Sequence, residues 1–508
     1  MNRLSRHLIL IVFILLFWET QAQNKIIFPR PFAFAIDDLG WNIGNNTGDL
    51  NGQGPYRIGI NRQMHLKDYK AIVNVGKSVG VRIQCLFVLS EMDRLNILKY
   101  HPTTTWKGAQ WDNSQNINEE QIEIMNFVKE NAAYMEFGLH GVGHEFWING
   151  QKKRAEWYCI EENHPWDETI MKEHLQCFKD IMKQYGLSHE NGHSFPESFV
   201  PTAYGYYWNP KGTYSTGKLM SDIGVKYVNT LFNEIKELNP PNGPNGGDFD
   251  HGVIVINRIN YGNDWYQLDA LPTVPIEKQE SDIIETHWSN WLAQDNFLQS
   301  KTTQKFIKYY KMVQKTPDRY IAKNTEQFYA QWLYKKYTKI TEPKPGIVNI
   351  DNTQMPKTVY QNKLLGNLVL KIKLDKNRHV SMAKLNNQPI NVYFEENGYG
   401  FLYLPILQSQ KYQLVYQISK HEMPVMLYHN GTFNVYDFAY KPNEIDLTLK
   451  VYGTQQIILK GIKKAKSIEI KNKNVQLINH NYNQHNHTLS INVKAHDIQG
   501  ETTKIIIK

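Results

Sequence analysis

From Phe32 onward the chain repeats one arrangement, a short apolar run followed by a longer amphipathic segment. That alternation suits a parallel sheet, because each parallel strand needs a crossover connection, usually a helix, which then covers its face. The runs 32–36, 81–89, 135–139, 194–200, 225–231, 253–259 and 282–286 are the candidate strands. Helices are expected over 118–132 and 167–185; in the second, Ile170, Leu175, Phe178, Ile181, Met182 and Tyr185 recur near helical spacing. The fold class is therefore α/β, a barrel or a doubly wound sheet. In either architecture chemistry gathers at the C-terminal ends of the strands.

The texture changes at Thr341-Glu-Pro-Lys-Pro-Gly346, which reads as a linker because its prolines and glycine cannot continue a helix. Beyond it, runs such as 367–374, 400–404, 413–418, 445–451 and 490–493 alternate apolar with polar residues between Asn/Gly turns, the pattern of one or two all-β sandwich domains. A seam is expected near 419–424. At the other end, Arg3 and Arg6 precede an apolar run over 8–18, then Thr20 and Ala22 stand at the spacing a signal peptidase recognises. A membrane-spanning helix needs roughly 20 apolar residues, so no transmembrane anchor is expected. Cleavage after Ala22 and export to a periplasm or the extracellular space are. The expected division is a leader over 1–22, an α/β domain over 23–340, a β-sandwich module over 341–420 and a second β-rich module over 421–508.

Composition narrows the partners. A net charge of +8 over 508 residues is mild, and no Lys/Arg run is interleaved with aromatics, so nucleic acid is not an expected partner. Three cysteines, Cys85, Cys159 and Cys177, cannot form a complete disulfide framework; a Cys159–Cys177 bridge is the pairing left open. All twelve Trp residues precede the presumed linker, Trp18 within the leader. Flat apolar rings match the C–H face of a pyranose, so a carbohydrate groove is better sought in the α/β part than in the β modules. Core packing is the competing use of the same residues.

Two places carry chemistry. Asp37 and Asp38 close the first strand, and adjacent carboxylates on an extended chain point to different sides, one toward a metal and one toward substrate water. Alone, such a pair is more often a turn or a helix cap. The third strand runs into Gly138-Leu-His140-Gly-Val-Gly-His144, two imidazoles that converge on one ion if the chain coils after the strand, with glycines allowing close backbone approach. His140, His144 and one carboxylate of the Asp37–Asp38 pair are thus candidate ligands for a divalent metal, zinc first, although Co, Ni or Fe also suit such a set.

These motifs resemble the polysaccharide deacetylase (NodB-homology) family of metal-dependent carbohydrate esterases, over roughly 28–341. The family's acidic pair is matched by Ala35-Ile-Asp-Asp38 and its His-x-x-x-His by His140 to His144. The resemblance implies a deacetylase-type (β/α) barrel, Asp37 as general base, and Asp38, His140 and His144 around an ion that readies a water at neutral pH. Phe199-Val-Pro-Thr-Ala-Tyr204 is similar to the third motif but lacks its usual Arg. Asn263-Asp264-Trp265 is similar to the fourth, and Glu285-Thr-His287-Trp288 to the fifth, whose His is the general acid. Tyr204, Asp264, Trp265 and Trp288 are then expected to contact a carbohydrate substrate, with Trp291 as a further groove wall. Asp264 is preferred over Glu285 to orient His287. The long interval between Asp38 and His140, including 44–59 and 103–114, is expected to shape the mouth of the site. Two other readings stay open: a glycoside hydrolase on a related barrel, using carboxylates instead of a metal, and a non-catalytic glycan-binding protein.

Overall fold

The computed structural model describes residues 26–43, 62–232, 247–441 and 443–508; the expected leader and the segment 44–59 lie outside them. Every one of the seven candidate runs carries a strand: β1 (Arg30–Leu39), β2 (Gln84–Val88), β3 (Gly138–Gly141), β4 (Ser198–Phe199), β5 (Tyr227–Thr230), β6 (Val253–Asn257) and β7 (Ile283–His287). They pair in the order β7-β1-β2-β3-β4-β5-β6, parallel throughout. A parallel bridge between Ile259 and Ile284 joins the two ends of that run. The chain is thus a mixed α/β protein.

Helices α1 (Leu66–Val79), α2 (Glu119–Glu130), α3 (Glu168–Gln184) and α4 (Thr216–Ser221) connect successive strands, and α5 (Gln299–Lys315) and α6 (Thr325–Tyr337) follow β7. Their limits follow from local chemistry. Asn118 accepts from the Gln121 N–H while the Gln121 side chain reaches back, a reciprocal cap that starts α2. Asp167 accepts from two backbone N–H groups at the start of α3.

Strand alternation sorts the side chains into two sets. Phe32, Phe34 and Ile36 of β1 join Phe306, Tyr309 and Tyr310 of α5 in one core. Each such fully buried side chain contributes roughly 2 kcal/mol. Ala35, Leu86, Val200, Ile254 and Ile283 face the other way and belong to a second core that runs on into the C-terminal sheets. Continuing this second face by twos leads from Ala35 to Asp37, from Gly138 to His140, from Ile256 to Arg258 and from Ile283 through Glu285 to His287. Parity alone therefore delivers the polar residues to one end of the strands.

The β-rich part departs from the expected division in three ways. The presumed linker is an edge strand: Lys339–Lys344 pairs antiparallel with Ile347–Asp351, with a register shift between Thr341 and Lys344 and a turn at Gly346. Proline is tolerated there because an edge strand need not donate on both sides. The seam at 419–424 does separate two strands, yet an eight-stranded sheet passes straight through it, since Val392–Glu396 pairs in parallel with Met426–Tyr428. Ile26–Ile27, assigned to the α/β domain, pairs instead with Leu368–Lys373. All three cysteines are free and buried, so the Cys159–Cys177 bridge is absent.

The C-terminal sheets press on the N-terminal edge of the parallel strands. Just before β2, Arg82 lies over the Tyr452 ring at 4.3 Å and donates to the Ile498 carbonyl. Before β3, the Ala133 and Phe137 carbonyls accept from Thr432 and Gln499. Before β4, Glu197 is 2.5 Å from Lys450, which also meets Glu326 of α6. Burial alone would raise the Glu197 carboxyl, but Lys450 and Lys226 bring it down to about 2. A depressed folded-state value stabilises above the ordinary 4.5, and that stabilisation is lost as pH falls toward 2. Glu197→Gln should therefore lower unfolding free energy by about 2 kcal/mol at neutral pH. In denaturant titrations its gap from wild type should narrow between about pH 5 and pH 3; a gap independent of pH would contradict the linkage.

Candidate metal centre

Asp37 and Asp38 sit where β1 shifts register against β2, between Ile36 and Leu39. Asp38 adopts a left-handed backbone with φ 66°, so the chain is not extended here and the expected splitting of the two carboxylates onto opposite faces does not occur. Both line one cleft of about 410 Å³, together with His140, His144, Tyr204, Arg258, Trp265 and His287.

Asp38 Oδ1 lies 3.2 Å from His140 Nε2 and 3.7 Å from His144 Nε2, and one donor atom from each of the three lies within 4.8 Å of the others. Donors about 2.1 Å from a tetrahedral centre stand about 3.4 Å apart, so the set fits an ion of zinc's size. His140 Nδ1 is 2.7 Å from the Val200 carbonyl. A carbonyl can only accept, so that nitrogen carries the proton and Nε2 presents its lone pair to the cleft. His144 packs against Trp41, ring centroids 4.7 Å apart.

The turn between the two imidazoles is shaped by a residue that the sequence reading missed. The Glu156 carboxylate, fully buried, accepts from the backbone N–H groups of Val142, Gly143 and His144 at 2.9 to 3.1 Å, and from His174 Nδ1 at 2.9 Å. This clamp holds His144 in left-handed backbone, φ 64°. It also explains the glycines: a Cβ on Gly141 would come within 2.1 Å of Glu156, and one on Gly143 within 1.9 Å of the Thr104 carbonyl.

An Arg reaches Asp37 from outside the 199–204 segment. Arg258, just beyond β6, donates to both Asp37 oxygens, at 2.9 and 2.5 Å, and its Nε lies 3.7 Å from Glu285. Tyr204 donates to Glu285 at 2.8 Å. Burial would raise the Asp37 carboxyl, but Arg258 holds it below its ordinary value. His140 is displaced the other way: burial disfavours its charge, and Asp37 and Asp38 hold it above the ordinary imidazole value. His287 Nε2 stands 4.0 Å from both Asp37 and Asp38 and 3.9 Å from Glu285, and burial pushes it below the ordinary value.

Of the expected substrate contacts, Tyr204 and Trp265 line the cleft; Asp264 and Trp288 do not. Asp264 accepts from Tyr266 and Gln267, away from His287. Glu285 lies beside His287 instead, 3.9 Å from its Nε2, because residues two apart on β7 share a face. Trp288 is wholly buried in the core behind β1, and Trp291 stacks on Phe306 at 3.8 Å. Lys152, Arg154, Glu145 and Glu161 also line the cleft, unforeseen because they lie on or beside two short hairpins after β3. Arg258 had a legible signal, a charge ending the two-residue alternation Ile254, Ile256, Arg258.

No family model and no curated protein matches the chain. Among solved structures, a GH57-type branching enzyme from the hyperthermophilic archaeon Pyrococcus horikoshii is similar at 11% identity and a TM-score of 0.25, over 46% of this chain and 47% of its own. The chain thus spans about half the length of that enzyme. The catalytic module of a family 98 glycoside hydrolase from Streptococcus pneumoniae TIGR4 aligns over 96% of this chain and 100% of its own, at 9% identity and a TM-score of 0.16. Likeness at this level fixes neither fold nor activity.

Two substitutions test the construction. Arg258→Ala leaves Asp37 and Glu285 buried without their cation and should cost about 3–5 kcal/mol in a denaturant titration; a loss under about 1 kcal/mol would contradict the pairing. Glu156→Gln removes the charge that gathers three N–H groups, and zinc affinity measured by competition with a chelating dye should fall about 10–100-fold.

Proposed function

We propose that the chain is an exported, metal-dependent carbohydrate deacetylase, a deacetylase-type (β/α) barrel with a β-rich C-terminal part at the end opposite its active site. The observation that carries this reading is the convergence of Asp38, His140 and His144 donor atoms within 4.8 Å, with Asp37 and His287 beside them. A divalent ion held by Asp38 Oδ1, His140 Nε2 and His144 Nε2, zinc first, would supply Lewis acidity toward an acyl carbonyl and a readily ionised water.

The side chains then have separate tasks. Asp37 takes the proton of the attacking water, held in place by the two-pronged contact with Arg258. His287 Nε2 gives a proton to the departing amine or sugar oxygen. Glu285, fixed by Tyr204, lies beside His287 and steadies its orientation. Trp265 offers a flat apolar face to a pyranose at the cleft edge. Among the described residues no helix is long and apolar enough to cross a membrane; the export reading rests on the leader sequence.

Glycosidic cleavage is the second reading, favoured by the carboxylates that share the cleft, Asp37, Asp38, Glu145 and Glu161. A panel of N- and O-acetylated oligosaccharides separates the two. Acetate release should appear, vanish on chelation, return with zinc, and fall by about 100-fold or more in Asp37→Asn. The double variant His140→Ala/His144→Ala should lose the ion at this centre together with activity. New reducing ends without acetate would establish the glycosidase instead, and glycan binding with neither product a non-catalytic protein.

A further inference from the structure

A second group of side chains brings metal-ligand atoms together away from the Asp38 centre. Cys159, Glu162 and His164 each offer one donor, all within 4.8 Å of one another. We propose that this triad is a separate, structural divalent-cation site, suited to zinc, that pins the wall of the cleft.

The backbone holds the three side chains close. Cys159 and His164 exchange both backbone hydrogen bonds, at 3.0 and 3.3 Å, closing a tight hairpin over Ile160, Glu161, Glu162 and Asn163. Asn163 takes the left-handed conformation, φ 55°, and its side chain accepts from Tyr158 at 2.9 Å. A Cys-x-x-Glu-x-His segment folded this way directs three ligands to one side at little further entropic cost.

Each ligand is also oriented. His164 Nδ1 donates to the Pro165 carbonyl at 2.8 Å, so Nε2 is the nitrogen left for coordination, the same device seen between His140 and Val200. That Nε2 lies 3.4 Å from Glu162 Oε2. The other oxygen of Glu162, Oε1, is held by Lys153 at 2.7 Å, which turns the carboxylate toward the imidazole. Cys159 is buried, with the Glu162 backbone N–H directed at its sulfur. Glu162 and His164 are exposed on the solvent side, leaving room for an ion to enter and for water to complete its shell. One sulfur, one imidazole and one carboxylate make a borderline-soft set that favours zinc over magnesium or calcium. Binding forms a sulfur–metal bond and releases the thiol proton to solvent.

The consequence is local. Glu161, inside the same hairpin, lines the catalytic cleft and accepts from the Arg154 backbone N–H at 2.8 Å, and Arg154 and Lys152 line it too. An ion on Cys159, Glu162 and His164 would fix that wall.

The test uses the full chain. Purified protein equilibrated with zinc should bind two ions, and Cys159→Ser one. With Co²⁺ in place of zinc, a thiolate-to-metal charge-transfer band should appear in the near ultraviolet. It should persist in His140→Ala/His144→Ala and vanish in Cys159→Ser. Because the Asp38 centre contains no sulfur, this readout is independent of the deacetylase reading. Should Cys159→Ser fail to fold, the exposed variant His164→Ala serves instead, with second-site zinc affinity expected to fall at least tenfold. A wild-type cobalt protein without the band, or second-site affinity unchanged in His164→Ala, would overturn the proposal.

Discussion

The architecture of the site depends on one buried ion pair. Asp37 and Arg258 are both almost wholly excluded from water, and taking two such charges out of solvent costs several kcal/mol each. Their attraction repays this only when the geometry is good, and here a planar guanidinium meets both oxygens of one carboxylate. The pair therefore adds little net stability but imposes a fixed geometry. It ties the end of β1 to the segment beyond β6 and sets the position of the residue proposed to handle water's proton. Glu285 and Tyr204 extend the network to β7 and to the loop after β4, so four strand ends are joined through polar contacts alone.

A second carboxylate works on the backbone instead of on a cation. Glu156 gathers three consecutive N–H groups, and three aligned dipoles are enough to keep a charge buried without a full counter-ion. Its effect is to bend the chain after β3 so that His144 returns to within reach of Asp38. The convergence of Asp38, His140 and His144 thus depends on a residue that touches none of their side chains, and on glycines whose missing Cβ atoms leave room for it.

How much of this was legible depends on the scale at which each residue's position is decided. Strand positions mostly were, because apolar runs of five or so residues report burial directly: all seven candidate runs carry strands, while Gly247–Asp250 and Arg319–Ile321 of the same sheet were missed. Asp38, His140 and His144 were legible because chemistry-bearing residues at strand ends are few and their types suit one ion. Arg258 was legible only as the charge that ends the alternation Ile254, Ile256, Arg258; its pairing with Asp37, 221 residues away, leaves no local mark. Trp288 and Asp264 were misplaced for a different reason: they lie beyond the strand ends, Trp288 in the helical turn after β7 and Asp264 in the loop before it, where strand alternation no longer decides which way a side chain faces. The prolines at 343 and 345 misled because an edge strand tolerates what an interior one does not.

The C-terminal sheets follow from what the parallel strands leave exposed at their other end. Chemistry at the C-terminal edge requires open, polar strand ends, whereas the N-terminal edge has no such need and presents Tyr227, Tyr320 and Tyr329 to be covered. The β modules supply that cover, and their residues enter the same core as the inward face of the strands. Arg82, Glu197 and Lys450 then fix the orientation with directed contacts where apolar packing would only fix proximity. A module anchored this way immobilises the lower half of the sheet, so whatever adaptation the cleft needs falls to the loops above it. The loop carrying Lys152, Arg154 and Glu161 is anchored at its middle by Glu156 and Trp157, and a cation on Cys159 and His164, as proposed, would add a second anchor beside Glu161.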